Sequence, residues 1–383
     1  MVMILKKKFL LLMLFFLSFL SFKTIVKAED GFSLKDAASA ILIDAKSQTI
    51  LYEKEIHKRL VPASMTKVMS LILICDAIKA GKITTETMIT ASEYAASMGG
   101  SQIYLKVGEQ FSLDDMLKAI CIASANDCVV AVAEALYGSE EVFVDKMNEF
   151  SKSLNLENTH FEDSTGLTKT NHYTSAYDMA MMASYLLNNH GEFILKYTSI
   201  KEDYLRKDTD NPFWLVNTNK LVGKVDGVDG LKTGWNDASK YCLTATAKRG
   251  NMRLISVLMG YDKPLKRNTD TVSLLNYGFA NYQEEVILEK GKVIYHVNDI
   301  RYKPEEFDVV INNEVTKIIT KGSEKGEVSW EITKYPNYQE NMPGTINLYY
   351  NDELLGEIEF NTVESVKKNN FFELWLKVIG RVI

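Results

Sequence analysis

Ser64 and Lys67 stand three residues apart, Ser124 and Asn126 two apart, and Lys232-Thr233-Gly234 form a later tripeptide. Residues of these types can carry an acyl transfer, which needs a nucleophile, a base beside it, donors for the oxyanion and a cation for a substrate carboxylate. A serine hydroxyl is a poor nucleophile until a neighbour takes its proton. Lys67, on the same face of a helix as Ser64, can do so only when neutral. Its pKa must therefore fall, through burial and a nearby cation such as Lys232. From a facing wall, the Ser124 hydroxyl can relay a proton to a leaving amine and the Asn126 amide can hold a peptide carbonyl. Lys232 and Thr233 on an edge strand would meet a carboxylate, while Gly234 keeps the strand open to an extended peptide. Each element alone is weak, since Ser365 and Lys368 repeat the first spacing and Ser153-Leu154-Asn155 repeats the second. Three elements in this order, each in a fitting context, are far more specific.

The surrounding pattern says how such residues would be held. Residues 38–44 and 49–53 are β-like runs joined by a short polar turn, a hairpin signal. Pro62 opens a helix, Val68 to Ile78 is apolar on nearly all sides, and Gly81 stops it. A helix apolar all round is buried, so Ser64 and Lys67 belong to the first turn of a central helix. Helices are expected over 114–122, 127–137 and 140–154, with Ser124-Ala125-Asn126 at the first break. Another is expected over 172–187, where Ser175-Ala176-Tyr177-Asp178 has the capping-box pattern. Asp178 reads there as a helix cap and His172 as a packing residue. From Asp229 the period becomes that of strands, over 231–234, 241–247 and 253–259, before a helix over 269–280. A hairpin, then helices, then strands predicts an α+β fold and not a repeated βαβ unit.

The flanks point outside the cell. Lys6, Lys7 and Lys8 precede an apolar run from Phe9 to Phe22, and Val26-Lys27-Ala28 offers a cleavage site, so residues 1–28 read as a signal peptide. The apolar run is short for a membrane span. Removing its five lysines takes the net charge from −6 to about −11, which argues against a nucleic-acid partner. Cys75, Cys121, Cys128 and Cys242 each lie in an apolar run and read as buried free thiols. Residues 29–284 are expected to form the main domain. Residues 285–361 carry short β-like runs with turn residues and form a small all-β domain, including a hairpin turn at Asn351-Asp352. In the last segment, 362–383, Phe371, Phe372, Leu374, Trp375, Leu376, Val378, Ile379, Val382 and Ile383 gather on one helical face. Asn370, Glu373, Lys377, Gly380 and Arg381 gather on the other. That is the pattern of a helix lying in an anionic membrane surface, with docking on its own domain as the competing arrangement.

The triplet resembles the active-site set of penicillin-binding proteins and serine β-lactamases. Across residues 36–283 the chain resembles the D-alanyl-D-alanine carboxypeptidases among low-molecular-mass penicillin-binding proteins, a group that includes sporulation-associated enzymes. The strings Pro62-Ala63-Ser64-Met65-Thr66-Lys67, residues 172–180 and residues 252–260 carry the likeness along with the triplet. The resemblance implies a β-lactamase/transpeptidase-like catalytic domain, an antiparallel sheet with a helical cluster. It also implies removal of the terminal D-alanine from peptidoglycan stem peptides through an acyl-enzyme on Ser64, and acylation by β-lactam antibiotics. By the same resemblance, the backbone N–H groups of Ser64 and Trp235 form the oxyanion hole and Arg267 helps bind the terminal carboxylate. Asn236 stands where the family often has Thr. No cofactor is implied, and no residues have the spacing of a metal site. A class A-like β-lactamase would need a Glu-x-x-Leu-Asn loop, and residues 127–231 hold none. A wall-binding protein with a retired site is opposed by the intact Ser64, Lys67, Ser124, Asn126 and Lys232.

Overall fold

The computed structural model describes residues 32–167, 170–338, 340, 342–362 and 365–382, with side chains to Ile379. The expected signal peptide lies outside the described residues, as do the side chains of Arg381, Val382 and Ile383. The described chain forms two compact units, divided between Tyr282 and Gln283.

In the first unit, Ser39–Asp44 (β1) turns at Gln48, which takes positive φ, into Ile50–Lys54 (β2). Two short pairs follow later: Met88–Thr90 (β3) with Gln110–Ser112 (β4), and Glu202–Leu205 (β5) with Phe213–Val216 (β6). Val228–Asn236 (β7), Lys240–Arg249 (β8) and Met252–Tyr261 (β9) complete an antiparallel sheet in the order β2-β1-β9-β8-β7. All six residues of β1 are buried, so both faces of the sheet are covered. The fold class is the expected α+β.

The central helix is Lys67–Lys79 (α1), entered through a 3₁₀ turn at Ala63–Thr66 and stopped by Gly81 at positive φ. Ten of its residues are buried because it threads the main core. Leu113–Lys118 (α2) runs into a π turn at Ala119–Ala123, which ends on Ser124 in the left-handed region. Asn126–Tyr137 (α3) and Glu140–Ser153 (α4) follow, the latter capped by the Ser139 hydroxyl. Ala176–Thr198 (α5) differs from the expected helix at both ends. Residues 172–174 are extended, because Thr174 bridges Leu60 and Tyr173 bridges His160. The far end continues through Gly191 since Phe193, Ile194 and Tyr197 still reach the core. Asp178 also departs from expectation. Its backbone N–H donates to Ser175 Oγ, but its carboxylate accepts from Asn158 N and Thr159 Oγ1, joining the helix to a neighbouring loop. Pro264–Asn281 (α6) packs on β8 and β9. All four cysteines are free and buried.

The second unit holds a five-stranded antiparallel sheet in the spatial order 293–298, 306–311, 353–362, 344–350 and 328–334. Its own core includes Phe307, Ile311, Ile346, Leu348 and Phe360. Asn351 and Asp352 both take positive φ, the conformation a two-residue hairpin turn demands. Phe371–Val382 (α7) follows, begun by a reciprocal cap in which Asn370 N donates to Glu373 and Glu373 N donates to Asn370 Oδ1. Among the described residues, no helix is long and apolar enough to cross a membrane.

Candidate active site

The 3₁₀ turn presents Ser64 at the mouth of α1 and places Lys67, wholly buried, at its first helical position. Lys67 Nζ lies 3.1 Å from Ser64 Oγ, 2.6 Å from Asn126 Oδ1 and 2.8 Å from the Thr165 carbonyl oxygen. The Asn126 amide is oriented by donating from Nδ2 to the Gly99 carbonyl at 2.7 Å, which turns Oδ1 toward the lysine. A neutral amine has two hydrogens and one lone pair. With the hydrogens on Asn126 and Thr165, the lone pair is left for the Ser64 hydroxyl proton.

Electrostatics favour that neutral form. Burial pushes the Lys67 ammonium well below its usual range, and the Lys232 cation pushes in the same direction, against Asp163, Asp127 and Glu140. Lys232 is itself buried, and its pKa falls to about 7, chiefly by desolvation. Ser124 ends the π turn at φ 67, and its hydroxyl is buried without a hydrogen-bond partner among the described residues. A buried hydroxyl without a partner is costly. A substrate polar atom would satisfy it.

β7 brings the third element. Thr233 Oγ1 donates to Thr218 Oγ1 at 2.8 Å, and Lys232 Nζ donates to the Thr233 carbonyl at 3.1 Å. Gly234 has a reason that composition alone does not reveal. A Cβ there would sit 2.3 Å from the Pro62 carbonyl oxygen, so the glycine lets β7 pack against the turn that carries Ser64. Trp235 follows with its ring half exposed and tilted against Tyr241. The Asn236 side-chain oxygen accepts from Ser239 N, closing the β7–β8 turn. Arg267 is buried on α6, and its guanidinium donates to the Cys242 carbonyl at 3.0 Å and to Asn268. Cys242 is the register partner of Gly234, so this cation is anchored on the strand next to the tripeptide. Burial lowers its pKa to about 10.

The structure thus groups Ser64, Lys67 and Asn126 by direct contact. It also brings in what the residue pattern did not disclose, the 163–167 loop. Gly166 of this loop takes φ +87, and a Cβ on it would overlap the Ala63 carbonyl. Glu140 Oε1 accepts from Ser164 N and Oγ, and the Ser70 hydroxyl donates to the Ser164 carbonyl. His172 also does more than pack: its Nε2 is 2.8 Å from Thr66 Oγ1, beside the nucleophile turn. The one cue in the residue pattern was the glycine in Ser164-Thr165-Gly166.

A family described as D-alanyl-D-alanine carboxypeptidase matches residues 26–263. The chain is 42% identical over 350 residues to D-alanyl-D-alanine carboxypeptidase DacF of Bacillus subtilis (strain 168), covering 90% of each. Among solved structures it resembles penicillin-binding protein 5 of Haemophilus influenzae, with a TM-score of 0.74 and 28% identity, covering 88% of this chain and 100% of that one. It also resembles penicillin-binding protein D2 of Listeria monocytogenes in its ampicillin-bound form, with a TM-score of 0.58 and 28% identity over 65% of this chain and 99% of that one.

Proposed function

The chain belongs to the D-alanyl-D-alanine carboxypeptidase family, and from that premise we propose how its residues perform the reaction. The protein is a serine peptidase that removes the terminal D-alanine from peptidoglycan stem peptides and is acylated by β-lactams. Ser64 Oγ attacks the carbonyl between the two terminal D-alanines as its proton passes to Lys67 Nζ. The backbone N–H groups of Ser64 and Trp235 take the developing oxyanion. Ser124 relays the proton from Lys67 to the leaving nitrogen, the carbon–nitrogen bond breaks, and D-alanine departs. Water then attacks the ester, and Ser64 recovers its proton. Lys232 and Thr233 bind the terminal carboxylate, Asn126 the preceding peptide carbonyl, and Gly234 sets the strand against the nucleophile. Arg267 helps bind the terminal carboxylate.

The observation that carries this reading is the Lys67 amine, held by Asn126 and Thr165 and free to accept only from Ser64. The test is release of D-alanine from diacetyl-Lys-D-Ala-D-Ala by the purified protein. A chromogenic cephalosporin should give one stoichiometric burst followed by very slow turnover. Sustained turnover each second would support a β-lactamase instead.

We assign domain limits of 29–284 and 285–361, with export through residues 1–28 and attachment of 362–383 to the outer face of the cytoplasmic membrane. Supporting attachment, Phe371, Phe372, Trp375, Leu376 and Val378 are 45–83% exposed on α7. The polar face is the tethered one: Lys377 Nζ donates to the Tyr302 carbonyl at 3.2 Å and lies 3.5 Å from Glu305. Side chains of this size contribute roughly 1.5–3 kcal/mol each at full burial, and interfacial burial is partial. The mature protein is expected to sediment with anionic liposomes, less so at high salt. A version ending at Asn361 should stay in solution and keep its activity on the small peptide. Undiminished binding by a variant carrying Trp375→Glu and Ile379→Glu would overturn the attachment.

A further inference from the structure

We infer that Asp163 is a positioning residue for the base, aiming the Thr165 carbonyl at Lys67. The inference deepens the acyl-transfer reading above and rests on it. Asp163 is 4% exposed, and its Oδ1 gathers the chain that follows it. Thr165 N donates to it at 2.8 Å, Thr165 Oγ1 at 3.0 Å, Gly166 N at 2.5 Å and Leu167 N at 3.2 Å. Four donors on one oxygen fix the peptide planes of a short loop far more tightly than its length alone would. The loop is then pinned from outside by Glu140 and Ser70 through Ser164. Its one inward product is the Thr165 carbonyl, 2.8 Å from Lys67 Nζ.

That carbonyl decides where the lysine lone pair points. Asn126 fixes one amine hydrogen and Thr165 the other; with either missing, the amine can rotate and the lone pair leaves Ser64. Asp163 Oδ2 is buried without a hydrogen-bond partner among the described residues, 3.8 Å from His172 Nδ1. That nitrogen accepts from Glu162 N at 3.2 Å, so it is the unprotonated one. The proton then sits on Nε2, which donates to Thr66 Oγ1, and Thr66 in turn donates to the Ala63 carbonyl. A buried carboxylate oxygen without a partner is costly, and here it accompanies the oxygen that organises the loop. The groups facing Lys67 are Lys232, which opposes its protonation, and Asp163, Asp127 and Glu140, which favour it.

Two variants separate geometry from charge. Asp163→Ala removes the loop's organising acceptor, and acylation by a fluorescent penicillin should slow about 10–100-fold, within the range of a misplaced general base. Asp163→Asn keeps an acceptor at Oδ1 and removes the charge. It should acylate at high pH within about threefold of the wild type, with the acidic limb of its rate profile moved to lower pH. A wild-type rate in a folded Asp163→Ala protein would overturn the inference. So would a loss in Asp163→Asn at high pH as deep as that expected for alanine, since the asparagine keeps the acceptor; that result decides the matter if the alanine variant does not fold. Failure of the wild-type protein itself to acylate would instead sink the acyl-transfer reading.

Discussion

Replacing Ser64 with alanine is expected to abolish both release of D-alanine and covalent labelling by fluorescent penicillin. Of the triplet's other hydroxyls, Ser124 Oγ has no hydrogen-bond partner among the described residues and Thr233 Oγ1 donates to Thr218 Oγ1. The residual rate should therefore fall to what binding and the oxyanion donors alone provide, at least about 1,000-fold down. The fold should survive, because the Ser64 side chain shares one hydrogen bond, with Lys67, and the turn is held by backbone and by Thr66. Circular dichroism and the thermal midpoint check that point. Label retained by the alanine variant, at any residue, would refute the assignment.

What the residue pattern disclosed was the part of the site that side-chain identity carries. Ser64 and Lys67 are legible because one turn of helix makes them neighbours, and Ser124 because it falls at a helix break. The all-round apolar character of 68–78 likewise announces burial among the helices. The unread part is carried by backbone and by long-range packing. The Thr165 carbonyl sits 98 residues from Lys67 and has no residue signature of its own. Gly234 is legible as a glycine that clears space, but its approach to the Pro62 carbonyl, more than 170 residues away, is not. Residues 172–174 lie within a helical pattern that yields to pairing with Leu60 and His160, a competition only tertiary structure decides. Asp178 follows the capping spacing yet spends its carboxylate on another loop for the same reason.

Lys67→Arg should cost at least about 100-fold in acylation, because a guanidinium cannot lose its proton near neutrality. The variant keeps hydrogen-bond donors toward Asn126 and Thr165 but holds a permanent charge where the working lysine is neutral, so it cannot take the Ser64 proton. The pH profile gives the sharper reading. In the wild type, acylation rises with pH as Lys67, its pKa lowered by burial and by Lys232, gives up its proton. The rate then falls as Lys232 loses the charge that holds the substrate carboxylate, near its value of about 7 in the free enzyme. A bound carboxylate favours the Lys232 cation, so this alkaline limb should lie higher in kcat than in kcat/KM. In Lys67→Arg the acidic limb should vanish, since its titrating group is gone, while the alkaline limb remains with Lys232. Acylation at the wild-type rate, or an acidic limb that persists unchanged, would mean that another group takes the Ser64 proton and that Lys67 only positions it.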